Sequence, residues 1–468
     1  MQRSYTYYDL TISICSNCLV RTPAKIIFRD DRVYLRKHCA EHGVEEVLIS
    51  DDIAYFLRCR SYVKPSEMPM QWQTPIKAGC PYDCGLCPDH EQHFCLTIIE
   101  VTDRCNLQCP TCYAGSGPTV GRHRSLAEIE QMLDNVVASE GEPDVIQISG
   151  GEPTIHPDFF AILDAAKARP IKHLMLNTNG LRLAREPEFV AQLASYKENF
   201  EVYLQFDSLR EGPIKTLRGV ALSDVRRRAL DHLNEHDIST TLVATVRRDL
   251  NDDELGAILE FAVEQPCVRG VTFQPVQFAG RNDAGQSSTE RLSLSAVRRK
   301  ILQQTDLFNA DDLIPVPCNP DYLCMAYGLK GRGAFQPLTR HIDPGSLLDE
   351  TANTIIFERD PALRQTAMKM LSTGASSESA SGHLRQLLCC LPMIRDSADL
   401  SYRNVFRVII MEFMDAFNFD VRGIKKSCVH IAHPDGRIIP FETMNLFYRE
   451  GCGVDLDALN ARHIGSLS

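Results

Sequence analysis

Three cysteines, Cys105, Cys109 and Cys112, stand in the run Asp103-Arg-Cys-Asn-Leu-Gln-Cys-Pro-Thr-Cys-Tyr113, directly after the apolar stretch Leu96 to Val101. Thiolates are the usual ligands of iron–sulfur clusters, and a [4Fe–4S] cubane normally takes four of them. A Cys-x-x-x-Cys-x-x-Cys loop with no fourth cysteine close behind it holds three irons and leaves one open to a small ligand. Pure electron carriers have no need for an open iron. The loop therefore points to a centre that binds and activates a molecule.

Three further sets of thiols suggest more metal. Cys80-Pro-Tyr-Asp-Cys84-Gly-Leu-Cys87, followed by Cys95, places four thiols within sixteen residues. Such a set suits a fully ligated [4Fe–4S] cluster, with Gly85 and Pro81 allowing tight turns. Zinc is the rival metal, and Cys95 pointing elsewhere is the rival geometry. Cys15-x-x-Cys18 and Cys39-Ala-Glu-His42 flank two β-like runs, Ala24–Phe28 and Val33–Leu35. This is the pattern of a zinc-ribbon or rubredoxin-like knuckle holding one Zn or Fe ion, with Cys59 competing against His42 for the fourth position. The last set is scattered. Cys318, Cys324, one of the pair Cys389-Cys390 (taken as Cys390) and Cys428 are expected to hold a second auxiliary [4Fe–4S] cluster, buried free thiols being the alternative. Isolated Cys267 reads as an ordinary buried thiol.

A Gly150-Gly151-Glu152-Pro153 turn follows the cysteine loop by roughly 40 residues, at the end of the next strand of a βα series. Paired glycines allow close backbone approach and unusual dihedrals, while Glu152 offers an acceptor to a cationic amino group. Asn179, Asp207 and Arg247 are candidate polar contacts to the same ligand because they fall on strand-end loops. Conventional catalytic signatures are missing: there is no Gly-x-Ser-x-Gly elbow, phosphate-binding Gly-Lys loop or His-Glu-x-x-His helix.

The elements that must carry these residues alternate between short β-rich runs and helical periods. Strands are expected at Leu96–Val101, Val145–Ser149, Leu174–Asn177, Val202–Phe206, Thr240–Val246 and Gly270–Val276. Ser125 and Glu128 predict a capping box ahead of Leu126, Ile129, Met132, Leu133, Val136 and Val137 at helical spacing. Six βα units predict a mostly parallel sheet covered by helices, open or curled into a partial barrel, with ligands at the carboxyl ends of its strands. The cysteine loop, Gly150–Pro153, Asn179, Asp207 and Arg247 all fall there. Cys428 to Phe441 reads as a hairpin about Pro434-Asp435-Gly436, and residues 372–382 as a flexible loop.

The three-cysteine loop together with Gly-Gly-Glu-Pro resembles the radical SAM superfamily. That resemblance implies S-adenosylmethionine (SAM) bound at the open iron and release of a 5′-deoxyadenosyl radical. One position departs from the pattern, Thr111 standing before the third cysteine where an aromatic residue is frequent. Cys15–His42, Cys80–Cys87 with Cys95, Pro315-Val-Pro-Cys318 and Phe413–Asp420 leading to Cys428-Val-His430 resemble, more narrowly, the tetraether lipid synthases. This second resemblance implies a partial (β/α)6 barrel, three [4Fe–4S] clusters, one mononuclear metal, and radical C–C coupling between the methyl ends of two lipid chains. The departures are Ser427 where relatives often carry a cysteine, and a segment Phe441–Tyr448 that has none.

The composition sets outer limits. The 468 residues include 18 cysteines and carry a formal charge of −11, from 50 Lys+Arg against 61 Asp+Glu. Net acidity without a basic block disfavours nucleic acid and anionic membranes as partners. No apolar run approaches the ~20 residues of a membrane span, and a cytoplasmic protein, with transient membrane contact for a lipid substrate, is expected. The expected organisation is a metal knuckle at 1–60, an auxiliary-cluster segment at 61–95, the partial barrel at 96–305 and a second auxiliary-cluster region at 306–468. The expected activity is lipid C–C coupling, fed by a low-potential donor such as ferredoxin or flavodoxin. The competing readings are a radical SAM methyltransferase acting on a pterin and a non-catalytic iron–sulfur electron-transfer or sensing protein.

Overall fold

The structure, a computed structural model, describes residues 4–65, 67–283, 285, 287–330, 335–340, 344–345, 404–450 and 452–465. Cys389, Cys390 and residues 372–382 lie outside the described residues.

The chain opens with an antiparallel meander, β1 (Thr6–Ile14), β2 (Arg21–Arg29), β3 (Arg32–Cys39) and β4 (Gly43–Ser50), in the order β1-β2-β3-β4. Alternation along β3 turns Val33, Leu35, Lys37 and Cys39 inward. A buried lysine needs partners. Lys37 Nζ donates to Ile14 O at 2.9 Å and to Ala416 O at 2.7 Å, and pairs with Glu45 at 3.2 Å, which ties the meander to a segment far along the chain. Helix α1 (Ile53–Ser61) follows, its first turn capped by Asp52, whose Oδ1 accepts from Tyr55 N at 2.8 Å.

The βα series starts with β5 (Leu96–Thr102), β6 (Thr111–Cys112), α2 (Leu126–Glu140), β7 (Val145–Gly150) and α3 (Phe159–Lys167). It continues through β8 (His173–Thr178), α4 (Leu181–Arg185), α5 (Pro187–Leu193), β9 (Phe200–Gln205), α6 (Glu211–Arg218) and α7 (Ser223–Glu235). It ends with β10 (Thr240–Val246), α8 (Leu255–Glu264), β11 (Val268–Pro275), β12 (Arg281–Asn282) and α9 (Leu294–Gln304). The expected capping box forms: Ser125 Oγ accepts from Glu128 N at 3.3 Å, and Glu128 Oε2 accepts from Ser125 N at 2.8 Å. Such caps contribute about 1 kcal/mol.

Residues beyond the series complete the sheet. They supply β13 (Ile314–Pro315), β14 (Leu323–Lys330), β15 (Phe335–Pro337), β16 (Val405–Met411), β17 (Val429–Ala432) and β18 (Ile438–Pro440). The six strands of the series lie in the order β11-β10-β9-β8-β7-β5, all parallel. Two more parallel strands extend them, β16 beside β11 (Gly270 opposite Arg407) and β17 beside β5 (Leu96 opposite Val429). Antiparallel β14 and the β17–β18 hairpin flank these on either side, and the hairpin turns about Pro434-Asp435-Gly436 as expected. The architecture is a partial α/β barrel with an N-terminal metal ribbon and an added C-terminal region.

Every residue of β5 is buried, as befits a parallel strand covered on both faces. Ile99, Val101, Ile146, Ile148, Val202 and Leu204 pack outward under the helices. Leu96, Ile98, Val145, Met175, Val243 and Val429 line the concave face. At about 25 cal/mol per Å² of apolar area buried, these two layers hold the strand ends in place.

Candidate active site and metal centres

The cysteine loop leaves β5 at the carboxyl end of the sheet and is clamped from two sides. On one side, Gly151 N donates to Thr102 O at 2.8 Å and Glu152 N to Arg104 O at 2.9 Å. A Cβ on Gly150 would sit 2.2 Å from Thr102 O, and one on Gly151 would sit 2.1 Å from Arg104 O. Only glycine admits this approach. On the other side, Arg281 donates from Nε to Cys109 O at 2.6 Å and from Nη2 to Ser116 O at 2.7 Å, while β12 pairs with β6. Burial pushes the Cys105 thiol up to about 12, so the thiolate form there depends on a bound metal.

A cavity opens over the strand ends, lined by Cys105, Cys109, Cys112, Gly150, Gly151, Glu152 and Asn179. The sequence reading thus brings seven of its residues to one place. Pro153, buried at the first position of a short helical turn, stands beside them. The Glu152 carboxylate is already engaged: Oε1 accepts from Thr154 Oγ1 at 2.6 Å and Thr178 Oγ1 at 2.7 Å, and Oε2 from Asn179 N at 2.8 Å. It ties the loop after β7 to the loop after β8 rather than standing free for a cationic group. Asn179 Nδ2 donates to Asn106 Oδ1 at 2.7 Å, inside the cysteine loop.

Two expected contacts do not reach the cavity lining. Asp207 is fully buried between two guanidinium groups, accepting from Arg218 Nε at 2.8 Å and Arg226 Nη2 at 2.6 Å. Burial pushes its carboxyl up, but the two arginines more than offset this and hold it below the usual range. Arg247 turns away, pairing with Glu290 at 3.4 Å. The cation at the cavity is instead Arg218, at the end of α6, which also reaches the Cys109 thiol. Asp207 is the anchor that aims it.

Arg218 begins a chain of amides that the sequence reading missed. Its Nη2 donates to Gln205 Oε1 at 3.0 Å, Gln205 Nε2 to Asn177 Oδ1 at 2.8 Å, and Asn177 Nδ2 to Ser149 Oγ at 3.0 Å. On the far wall Gln274 Nε2 donates to the Tyr203 hydroxyl at 3.0 Å. Gln147, Gln277, Tyr113, Phe413 and Phe441 also line the cavity. Alternation offered a signal, since Gln147, Gln205 and Gln274 are amide side chains on short β-rich runs, VIQISG, FEVYLQ and VRGVTFQP.

The ribbon site takes its expected form. Cys15, Cys18, Cys39 and His42 place their donor atoms within 4.8 Å of one another. Cys18 and Cys39 are 3.8 Å apart at sulfur, and His42 Nδ1 lies 3.6 Å from Cys15 Sγ and 3.5 Å from Cys39 Sγ. A tetrahedral ion with bonds of about 2.0–2.3 Å separates its ligands by roughly 3.5–3.8 Å, so the set fits one zinc. Cys59 is no competitor. It packs on α1 with Tyr55 and Cys324, and burial pushes its thiol up to about 12.

The auxiliary thiols regroup. Cys80, Cys84 and Cys87 stay together, with the Cys80 thiol against that of Cys84, while Tyr448 closes over the loop by accepting from Cys84 N at 2.8 Å. Cys95 leaves them to join Cys318 and Cys428, within 4.8 Å. The register gives the reason: Leu96 lies opposite Val429, which sets the preceding residues Cys95 and Cys428 side by side. Cys324 drops out because Leu323 and Met325 face the concave side of β14, and alternation sends Cys324 to the other side, beside Tyr55.

Comparisons agree with this architecture. The radical SAM superfamily pattern matches residues 99–262, and that of the HMPTM N-terminal zinc ribbon domain matches residues 7–51. The 7,8-dihydro-6-hydroxymethylpterin dimethyltransferase of Methanocaldococcus jannaschii is 30% identical over 94% of this chain and 94% of its own. The mycofactocin maturase MftC of Mycolicibacterium smegmatis is 28% identical over 38% of this chain and 44% of its own. Among solved structures, Streptococcus suis SuiB bound to its precursor peptide SuiA superposes with a TM-score of 0.39 at 18% identity, covering 45% of each chain. The chain belongs to the radical SAM superfamily and, within it, to the family of the Methanocaldococcus pterin dimethyltransferase. The superfamily resemblance read from the sequence holds; the narrower one, to lipid synthases, is not what the full-length comparison supports. The family carries a [4Fe–4S] cluster and SAM, and the thiol groups described here suit auxiliary clusters and a ribbon zinc.

Proposed function

We propose that this protein is a radical SAM methyltransferase acting on a pterin or a closely similar flat, polar heterocycle. The observation that carries the reading is the wall of amides beneath the cysteine loop. Gln147, Asn177, Gln205, Gln274 and Gln277 offer donors and acceptors in a cavity flanked by Tyr113, Tyr203, Phe413 and Phe441. Ring faces stack on aromatic side chains and heterocycle edges pair with amides. Joining lipid chain ends asks instead for an apolar channel holding two long chains, and six amides in the lining, these five and Asn179, argue against that use.

In this reading Cys105, Cys109 and Cys112 hold the cluster, and the backbone of Gly150 to Glu152, with Asn179, faces the SAM methionine group. Held by these three thiolates, a [4Fe–4S] cluster would supply the one-electron chemistry by which SAM gives a 5′-deoxyadenosyl radical. Abstraction of a hydrogen atom suits a C–H bond that no base can ionise. Arg218 holds positive charge beside the Cys109 thiolate, and Tyr113 and Phe441, with ring centroids 4.8 Å apart, shield the cavity from water. The electron comes from a low-potential donor of the ferredoxin or flavodoxin kind.

The test is anaerobic reconstitution with iron, sulfide and zinc, followed by SAM, a reductant and 6-hydroxymethyl-7,8-dihydropterin. The expected products are 5′-deoxyadenosine with methionine, a pterin heavier by one or two methyl groups and, for each methyl gained, one S-adenosylhomocysteine from a further SAM that gives up the group, the reductant supplying the electrons. Deoxyadenosine with an unchanged pterin would overturn the substrate assignment, and a phospholipid that loses two hydrogens under the same conditions would replace it with lipid joining.

A further inference from the structure

Gln277 lines the cavity from the loop after β11, is 8% exposed, and has both ends of its amide held by protein. Its Nε2 donates to Met414 O at 2.7 Å, and its Oε1 accepts from Asn445 Nδ2 at 3.0 Å. Asn445 accepts in turn, through Oδ1, from Arg449 Nε at 2.7 Å. Arg449 is itself gripped by the Glu100 carboxylate of β5, which takes Nη2 at 2.7 Å and Nη1 at 3.2 Å. Glu100, Asn445 and Met414 are all buried.

This chain has a polarity that neither amide can reverse. A guanidinium only donates and a backbone carbonyl only accepts. Arg449 therefore faces the oxygen of Asn445, the nitrogen of Asn445 faces the oxygen of Gln277, and the nitrogen of Gln277 faces Met414 O. Turning either amide over would set donor against donor on one side and acceptor against acceptor on the other, and buried polar groups without partners are strongly disfavoured.

An amide nitrogen carries two hydrogens and an amide oxygen two lone pairs. The contacts above use one of each on Gln277, which leaves one N–H and one lone pair for a molecule in the cavity. A primary amide with both to offer pairs in bidentate fashion with a ring edge that carries an acceptor beside a donor, as glutamine does with the edge of adenine. The C=O and N–H of a cyclic lactam make such an edge.

We propose that Gln277 selects the substrate by pairing with a lactam edge of its ring, and that Asn445 and Arg449 are positioning residues that fix which way its amide points. The inference rests on the reading of the cavity as a heterocycle site and narrows it to rings that carry this edge.

The experiment is equilibrium binding, anaerobic and without reductant, to reconstituted protein with SAM bound. The two probes are 6-hydroxymethyl-7,8-dihydropterin and its O4-methyl ether, which keeps the ring but lacks the lactam N–H. The native protein is expected to favour the lactam by roughly 10–100-fold, the worth of one bidentate amide pair. Gln277→Met should remove that preference. Asn445→Asp, which sets an acceptor against Gln277 Oε1, should lose most of it. Arg449→Met should lose part, and Arg449→Lys, whose ammonium still donates, should recover it. Affinity for SAM, read alongside, separates a specific loss from a collapsed cavity. Equal native affinity for the two probes, or a preference kept by Gln277→Met, would overturn the role of Gln277. A preference kept by both Asn445→Asp and Arg449→Met would overturn the positioning. Native protein that binds neither probe would overturn the pterin assignment and this inference together. Where Gln277→Met no longer binds SAM, Asn445→Asp, which keeps size and shape, decides.

Discussion

At the scale of single residues, the site depends on two close fits. Gly151 is the narrower, because its missing Cβ is what lets the loop after β7 rest on Arg104 O. Gly151→Ala should displace the cysteine loop and lower both iron content and deoxyadenosine formation to background, measured by iron analysis and chromatography. Asp207 is the second. Asp207→Asn leaves Arg218 and Arg226 facing each other without an anion, and breaking a buried charge pair costs about 3–5 kcal/mol. The expected results are a lower denaturation midpoint and a SAM cleavage rate reduced at least tenfold. Asp207→Glu should restore stability more fully than cleavage, because the longer side chain re-aims Arg218.

At the scale of elements, the ribbon offers the clearest test. His42→Ala should weaken zinc binding by at least the roughly 10–100-fold that losing an outer-shell partner costs, whereas Cys59→Ala should leave ribbon zinc unchanged; a chelator titration separates the two. Elements also explain what could be read from the chain. The six strands of the series were legible because each is a short β-rich run broken by helical spacing, and Thr240–Val246 agrees to the residue. The ribbon ligands were legible because two turns of a local meander carry them. The fate of Cys95 and Cys324 was not. It is set by the pairing of β17 with β5 and by which face of β14 a residue takes, and both are long-range facts of register. Arg218 was missed for a related reason: it comes from the last turn of α6 and reaches the cavity only because Asp207 holds it there.

At the scale of the whole molecule, the sheet gathers strands from distant parts of the chain, and its far side contains an unusual charge. Lys330 Nζ, at the end of β14, donates to Gln265 O at 2.6 Å and Val268 O at 2.9 Å. Burial, assisted by Arg269, lowers its ammonium to about 8. Between that value and the ordinary lysine range the unfolded chain binds more protons than the folded one, so stability rises with pH across the interval and falls back as pH drops through about 8. Thermal melts from pH 8 to 10 should show this rise in the native protein, and Lys330→Met should flatten it.

The position of β17 bears on how the protein is made. Strand β5, buried on both faces, carries the cysteine loop at its end, yet its outer neighbour begins at Val429. During synthesis β5 and β7 can pair early, but the other edge of β5 stays open until more than 300 further residues have been made, as the interval from Leu96 to Val429 requires. An apolar open edge invites association with other chains. Assembly of the centre at Cys95, Cys318 and Cys428 must also wait for that last strand. Chains interrupted before β17 should therefore accumulate as aggregates lacking this metal, and the growing polypeptide should depend on chaperones until its C-terminal hairpin closes the edge.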